Sequence, residues 1–181
     1  MTFEKVAWTK ELFKVPSGWK GLEEYMPSII SKLNIKTNLA LEFGVDSGYS
    51  LKILSQIFDK AVGVDAFLGD SHIGHEQGDV FYKEILNKFS NTNVELVKSK
   101  YQDFIKNNNS KYDLIHVDIV HFYKETYECA EWSLQHSNVV LIHDTCTFPD
   151  MAKVCVDLSK KYSAKYYNIT ECNGLGVLYR R

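Results

Sequence analysis

The chain is 181 residues long, is 45% hydrophobic and carries a formal net charge of -2 at pH 7. These values suit one domain with a proper hydrophobic core, and no second domain is needed. Acidic and basic residues are interspersed, so the sequence offers no basic face for a nucleic-acid backbone. We therefore expect no nucleic-acid partner.

Neither a membrane span nor a secretory signal is evident. No apolar run is long enough to cross a bilayer, and residues 1–20 lack the apolar centre of a signal peptide. The cysteines form no C-x-x-C pair, and we expect them to be small core residues in a reducing compartment. They are Cys129, Cys146, Cys155 and Cys172. The sequence therefore favours a cytosolic (cytoplasmic) protein without a membrane partner.

The N-terminal region divides into an irregular lead-in and a helix. Residues 1–18 show no clear period, and Trp19 after them is expected to be a core residue. Within 21–33 the apolar residues recur at three- and four-residue spacing, which predicts an amphipathic helix packed on a sheet. Pro27 predicts either a kink or a late start of that helix.

Residues 39–67 predict a strand, a helix and a second strand. The run 39–43 is short, apolar and closed by a glycine, which is typical of a strand buried on both faces. Residues 49–58 place apolar side chains at helical spacing, and 61–64 is a second apolar run that ends at Asp65. A βαβ unit that ends in a carboxylate is suited to hold a nucleoside.

Two glycines in this unit favour a bound ligand. We expect Gly44 to leave the first strand where a Cβ would obstruct the ligand, and Gly48 to let the backbone approach closely as the helix begins. Asp65 follows Gly44 by about 20 residues, the offset at which a carboxylate meets a ribose hydroxyl. The G-x-G-x-x-G fingerprint of dinucleotide sites is incomplete, and Glu42 would repel phosphates but suits a cationic amino-acid group.

The next segment, 67–80, predicts a loop at the ligand-binding edge of the sheet, which could act as a lid. His72, His75 and Glu76 lie in it, but an irregular loop gives their spacing no fixed geometry, so substrate contact or a solvated loop is preferred over a metal site.

The later elements are predicted as a helix over 81–89, strands over 94–97, 113–117 and 139–142, helices over 121–135 and 148–162, and a hairpin of 165–172 and 175–179 joined by Asn173-Gly174.

Polar residues follow two of these strands. Asp118 comes after the fourth strand, and His143 and Asp144 come after the fifth. Since the carboxyl ends of parallel strands meet at one edge of a sheet, we expect these side chains near Glu42 and Asp65. This convergence predicts a chemical site.

The segment E-F-G-V-D-S-G-Y-S, residues 42–50, resembles motif I of the class I S-adenosyl-L-methionine (SAM)-dependent methyltransferases, as found in the catechol O-methyltransferase-like and small bacterial methyltransferase-domain groups. The resemblance implies SAM as the cofactor. It places Glu42, Gly44 and Gly48 around the methionine amino group and the helix start, Tyr49 and Ser50 near the methionine carboxylate, and Asp65 with Ala66 at the ribose.

Two further segments resemble the same enzymes. S-K-Y-Q-D-F-I, residues 99–105, is similar to their S-Q-D-I-I segment and makes Tyr101 and Gln102 candidates for contact with adenine; equally, Gln102 could simply occupy the first turn of a helix. D-I-V-H-F-Y resembles their D-x-x-K and D-G-D-H-S-Y turns. This match implies that Asp118 lies at the cofactor and that His121 is the general base.

L-I-H-D-T is similar to the strand ending that completes a metal site in such enzymes. The resemblance implies Asp118 and Asp144 as ligands of Mg²⁺, with His143 or Thr145 as the third ligand. A histidine would shift the preference toward softer ions such as Mn²⁺. Alternatively, His143 is a strand-end histidine bonded to a neighbouring carboxylate, and no metal is needed.

These observations predict an α/β fold in one domain, 1–181: a lead-in and cap helix over 1–37, and over 38–181 a Rossmann-like doubly wound sheet. The sheet is expected to be mostly parallel with an antiparallel C-terminal hairpin, in the class I methyltransferase order, with helices on both faces. The expected function is O-methylation of a small-molecule substrate by a possible homodimer, with His121, Asp118 and His143 as the catalytic candidates. Another Rossmann enzyme, such as an oxidoreductase, and a non-catalytic nucleoside-binding domain stay open.

Overall fold

A seven-stranded sheet organises the chain in the computed structural model, which describes residues 1–69 and 77–180. The strands are β1 (Leu39–Phe43), β2 (Lys60–Asp65), β3 (Val94–Lys98), β4 (Leu114–Val117), β5 (Val139–His143), β6 (Lys165–Ile169) and β7 (Leu175–Tyr179). The helices are α1 (Met26–Leu33), α2 (Tyr49–Ile57), α3 (Asp79–Lys88), α4 (Tyr101–Lys106), α5 (Tyr123–His136) and α6 (Pro149–Lys161).

The strand order across the sheet is β3-β2-β1-β4-β5-β7-β6. The first five strands of this row run parallel, while β7 is antiparallel to both β5 and β6. The chain builds outward from β1 to β3 and then returns to place β4 on the other side of β1. This reversal opens a crevice at the carboxyl ends of β1 and β4, where doubly wound sheets bind ligands. The predicted fold class is confirmed.

Each face of the sheet carries its own hydrophobic core. Ala40 packs with the cluster that includes residues of α1, α2 and α3, whereas its neighbours Leu41 and Phe43 pack with the cluster that includes residues of α5 and α6. Alternate residues of a strand point to opposite faces, so a strand with a core on both sides is expected to be mostly apolar. This requirement explains the composition of the central strands, in which Glu42 of β1 and His116 of β4 are fully buried exceptions.

The predicted helix over 21–33 starts late. A 3₁₀ turn, Glu23–Tyr25, comes first, and α1 begins at Met26 with Pro27 in its first turn. Proline lacks the N–H that an interior helical position would donate, but the first turn of a helix leaves that group unpaired in any case. Of the two alternatives for Pro27, the late start is therefore correct.

The C-terminal hairpin forms, but its connection is longer than the two-residue turn predicted. Ile169 pairs with Leu175, so residues 170–174 form the loop, and Cys172, Asn173 and Gly174 all have positive φ. Cys172 thus lies in this loop and is only partly buried, and Cys146 is exposed. The expectation of core cysteines is right for Cys129 and Cys155 and wrong for these two.

Residues 1–18 are irregular, as predicted, and pack along the domain surface. The Val6 N–H donates to the Glu24 carbonyl, and the Phe3 ring contacts Tyr167 edge to face. Further on, the Gln56 amide donates to the Glu11 carbonyl. Among the described residues, no helix combines the length and apolar character needed to span a membrane.

Candidate active site

A cavity of about 980 Å³ lies at the carboxyl ends of β1, β2, β4 and β5. Most of the candidate residues line it: Gly44, Tyr49, Ser50, Asp65, Ala66, Tyr101, Gln102, Asp118, His121, His143 and Asp144. The N-terminal segment 15–19 forms another part of its wall. Glu42 and Gly48 are not among the lining residues. Segments that are remote in sequence therefore meet around one crevice, because parallel strands direct their carboxyl ends to the same edge.

Gly44 is required by a contact within the protein. Its φ is +85°, and a Cβ on it would lie 1.7 Å from the Asp118 carbonyl oxygen. Gly48 has φ +83°, and a Cβ there would lie 2.8 Å from the Phe89 ring. The sequence analysis explained both glycines by the approach of a ligand. The structure shows that packing of the turns against β4 and α3 already demands them.

Asp65, at the end of β2, accepts hydrogen bonds from the glycine turn that follows β1. Its Oδ2 accepts hydrogen bonds from the N–H groups of Val45 and Asp46, at 2.8 and 3.0 Å, and its Oδ1 accepts one from Phe67 at 2.7 Å. A carboxylate with several backbone donors is a strong acceptor that fixes the local backbone. Asp65 therefore shapes the crevice as well as lining it.

Tyr101 and Gln102 begin α4, and both also line the cavity. Gln102 lies in the first turn of α4 and also lines the cavity, so the two alternatives for this residue do not exclude each other. Tyr101 donates a hydrogen bond from its hydroxyl to Glu128 at 3.0 Å. The pKa of Tyr101 is raised above its usual range, mainly by burial and in addition by the hydrogen bond to Glu128. The Tyr101 hydroxyl therefore stays protonated.

Glu42 lies beneath the cavity and is fully buried. Its Oε1 accepts a hydrogen bond from the Ser50 hydroxyl at 2.7 Å, and its Oε2 lies 3.5 Å from His116 Nδ1. Burial raises the pKa of the Glu42 carboxyl above its usual range, and His116 and Ser50 offset that change only in part. His116 was not among the residues predicted for the site, although a histidine inside the apolar run L-I-H-V is a signal, because a buried polar side chain needs a partner.

Two histidines and two aspartates meet at the ends of β4 and β5. His121 Nε2 lies 2.7 Å from Asp144 Oδ2 and 3.7 Å from Asp118 Oδ1. His143 Nδ1 lies 3.1 Å from Asp118 Oδ2 and 3.5 Å from Asp144 Oδ2. Because α5 begins only at Tyr123, His121 lies in the turn after β4 and not in the predicted helix. Its ring stacks on Phe148, with 4.2 Å between centroids.

The carboxylates set the protonation of these histidines. Burial lowers the pKa of His121, but Asp118 and Asp144 outweigh burial and raise it to about 9. Burial likewise lowers the pKa of His143, but Asp118 and Asp144 together with the Cys172 carbonyl raise it to about 9. Burial raises the pKa of Asp118, and the charges and hydrogen bonds of the histidines then bring it well below its usual range. At neutral pH the four groups thus form ion pairs.

These pairs predict a loss of stability in mild alkali. Both histidines have a folded-state pKa near 9 against 6.5 for the unfolded chain, so their stabilisation is complete below pH 6.5 and is lost as the pH rises through about 9. Since one pKa unit corresponds to about 1.4 kcal/mol, we expect the free energy of unfolding to fall by about 3 kcal/mol or more over this interval. Urea unfolding with a chelator present measures it. Asp118→Asn should flatten the profile; an equal slope in this variant would contradict the assignment.

Three of these residues have the geometry of a metal site. Asp118, His143 and Asp144 each offer a ligand atom, and these atoms lie within 4.8 Å of one another. Asp144 Oδ1 is buried and has no hydrogen-bond partner among the residues described, so an acceptor there is available to a cation. The Thr145 hydroxyl instead donates to Asn168 at 2.6 Å, which favours His143 as the third ligand. His72, His75 and Glu76 lie outside the described residues.

The strand order of the sheet and the crevice at the carboxyl ends of β1 and β4 together define a Rossmann-like domain of the class I methyltransferase type. The family described as "Methyltransferase domain" matches residues 41–145, more than half of the sequence, and the chain belongs to this family. The match runs from β1 through the turn after β5 and thus includes both halves of the cavity wall. No curated protein matches the sequence.

Solved structures share the fold at low sequence identity. A candidate caffeoyl-CoA O-methyltransferase from Staphylococcus aureus is 14% identical, with a TM-score of 0.66 over 94% of this chain and 86% of that chain. Methyltransferase PaMTH1 from Podospora anserina, bound to SAH, is 14% identical, with a TM-score of 0.64 over 88% and 78%. The O-methyltransferase TomG from Streptomyces achromogenes, in complex with SAM, is 14% identical, with a TM-score of 0.60 over 83% and 76%.

Proposed function

We propose that this protein transfers the methyl group of SAM to a hydroxyl group of a small molecule. The observation that carries the proposal is one cavity that joins the glycine turn and Asp65 to the His121, Asp118 and Asp144 cluster. The glycine turn and Asp65 suit a nucleoside that carries a cationic amino-acid group, and the His121, Asp118 and Asp144 cluster suits the removal of a proton from the acceptor. The structural likeness to proteins solved with SAM or SAH supports the donor.

The residues present fit SAM in size and charge. The cavity volume of about 980 Å³ lies at the upper end of the range for small-molecule sites, about 300–1,000 Å³, which would leave room for an acceptor beside the donor. Asp65 and Ala66 would lie at the ribose, and Gln102 would offer a donor and an acceptor to the adenine edge. Glu42, buried under the turn, would supply negative charge for the cationic methionine end.

The proposed chemistry depends on position and on a proton acceptor. Methyl transfer from a sulfonium needs a nucleophile held in line with the methyl group and removal of the nucleophile's proton. His121 lines the cavity and is held by Asp144 and the Phe148 ring, so its position is fixed. Because the pKa of His121 is about 9, only its neutral fraction would receive the proton of the acceptor hydroxyl, and Asp144 would stabilise the resulting imidazolium.

Titration of the purified protein with SAH by calorimetry tests the donor assignment. We expect one site with micromolar affinity or better. Binding of NAD in place of SAH would overturn the proposal in favour of an oxidoreductase. Binding of neither ligand by the folded protein would favour a non-catalytic domain.

A divalent cation held by Asp118, Asp144 and His143 is part of the proposal. When bound, it would supply positive charge that favours the ionised form of an acceptor hydroxyl. A donor set with one imidazole and two carboxylates suits Mn²⁺ better than an all-oxygen set would. The buried unpaired Asp144 Oδ1 is the observation that supports it.

We expect Mn²⁺ to bind the wild-type protein and to bind Asp144→Asn at least about tenfold more weakly, because a ligand atom loses its charge. Electron paramagnetic resonance of free Mn²⁺ measures both. The control is Asp103→Asn, since Asp103 is a carboxylate on the exposed side of α4 that pairs with Lys106 at 3.3 Å. Equal affinity of the two variants would show that the ion does not use this cluster.

A further inference from the structure

A buried hydrogen bond ties the N-terminal segment to the centre of the sheet. Trp19 Nε1 donates to His116 Nε2 at 3.2 Å, and the two rings meet edge to face at 4.8 Å between centroids. Trp19 is 2% exposed and His116 is fully buried. Trp19 is thus a core residue, as the sequence predicts, but it also lines the cavity and makes a specific polar contact.

This bond decides where the imidazole proton sits. An indole N–H can only donate, so His116 Nε2 must accept, and in a neutral imidazole the proton is then on Nδ1. Nδ1 faces Glu42 Oε2 at 3.5 Å. The proton therefore points toward the carboxylate. Without Trp19, the other tautomer would turn a lone pair toward Glu42.

Glu42 thus has a different neighbour at each of its oxygens. Ser50 donates a hydrogen bond to Oε1. The His116 Nδ1–H group lies 3.5 Å from Oε2, a favourable contact with the carboxylate that is too long for a normal hydrogen bond. A buried carboxylate keeps its charge only if hydrogen bonds or a cation compensate for lost hydration. Ser50 itself lines the cavity, which places this carboxylate one side chain below it.

Trp19 also belongs to the wall that closes the cavity. Gly18 packs so tightly that a Cβ on it would lie 2.9 Å from Asn173 Nδ2 and 3.2 Å from the His143 ring. The Trp19 ring lies 5.9 Å from the His143 ring, between centroids. One segment thus contacts the acid and histidine cluster and, through His116, the carboxylate under the glycine turn.

We propose that Trp19 is a positioning residue for the methyl donor: by fixing the His116 tautomer it keeps the Nδ1–H group, and not a lone pair, on the side of the Glu42 carboxylate, which would hold the cationic methionine end. This inference rests on the proposed function. It assigns to the N-terminal segment a part in donor affinity that is additional to its packing.

The test combines a tautomer measurement with donor binding. Nitrogen NMR of labelled histidine should show His116 protonated on Nδ1 in the wild-type protein and a mixture of tautomers in Trp19→Phe. Calorimetry should show SAM binding about three- to tenfold weaker in Trp19→Phe, and about tenfold or more weaker in Glu42→Gln. The matched control is Trp132→Phe, since Trp132 stacks on His136 away from the cavity; it should bind as the wild type does.

The outcomes separate this inference from the proposed function. A wild-type protein that binds neither SAM nor SAH overturns the proposed function and the role in donor binding with it. A wild-type protein that binds SAM, with unchanged affinity in Trp19→Phe, overturns the inference alone, as does an Nε2–H tautomer in the wild type. Should Trp19→Phe not fold, full affinity in Glu42→Gln overturns the inference, and a loss together with the Nδ1–H tautomer supports it.

Discussion

Replacing Gly44 with alanine is expected to destabilise the protein by about 4 kcal/mol or more, enough to unfold much of it at room temperature. The new Cβ would lie 1.7 Å from the Asp118 carbonyl oxygen and 2.6 Å from its carbonyl carbon. Both are backbone atoms, so the turn after β4 must move as a whole. The φ of +85° adds about 1 kcal/mol for any residue with a side chain.

Gly69→Ala provides the matched control for this variant. Gly69 also has a left-handed backbone, with φ +70°, but its nearest contact for a Cβ is an ordinary 3.7 Å to Gln77. It should lose only the backbone contribution of about 1 kcal/mol. Thermal and urea unfolding of both variants measure the difference. Similar losses in the two would show that the β1 and β4 turns do not touch as described.

Replacing Asp65 with alanine is expected to weaken SAH binding at least about 100-fold. Three backbone N–H groups, of Val45, Asp46 and Phe67, lose their acceptor, so the glycine turn that forms the cofactor side of the cavity relaxes. The proposed acceptor for the ribose hydroxyls is lost at the same time. Calorimetric titration with SAH measures the effect on the folded variant.

Asp113→Ala separates loss of the site from general loss of stability. Asp113 Oδ2 accepts hydrogen bonds from the Asn38 and Leu39 N–H groups at 2.9 and 3.0 Å, at the amino end of β1 and far from the cavity. This variant should be destabilised to a comparable degree and still bind SAH. If Asp65→Ala retained wild-type affinity, or if both variants lost binding equally, Asp65 would have no specific part in the donor site.

The sequence by itself determined the order of strands and helices. Leu39–Phe43 and its counterparts are short, mostly apolar runs, which a sheet covered on both faces can bury, and the Asn-Gly near the end predicts the antiparallel hairpin. Because polar residues follow parallel strands, the same patterns also place Asp65, Asp118, His143 and Asp144 at one edge. All of this information is local to each segment.

Only the tertiary structure decided which partners these residues have. The Asp118 carbonyl lies close enough to exclude a side chain at Gly44. Asp144 holds His121, and Trp19 directs the proton of a histidine that lies 97 positions away in the chain. Such pairings depend on how the turns and the N-terminal segment pack at one edge of the sheet, to within a few tenths of an ångström. Periodicity and motif spacing describe one segment at a time, so they predict which edge of the sheet carries the site but not which atoms of different segments pair there.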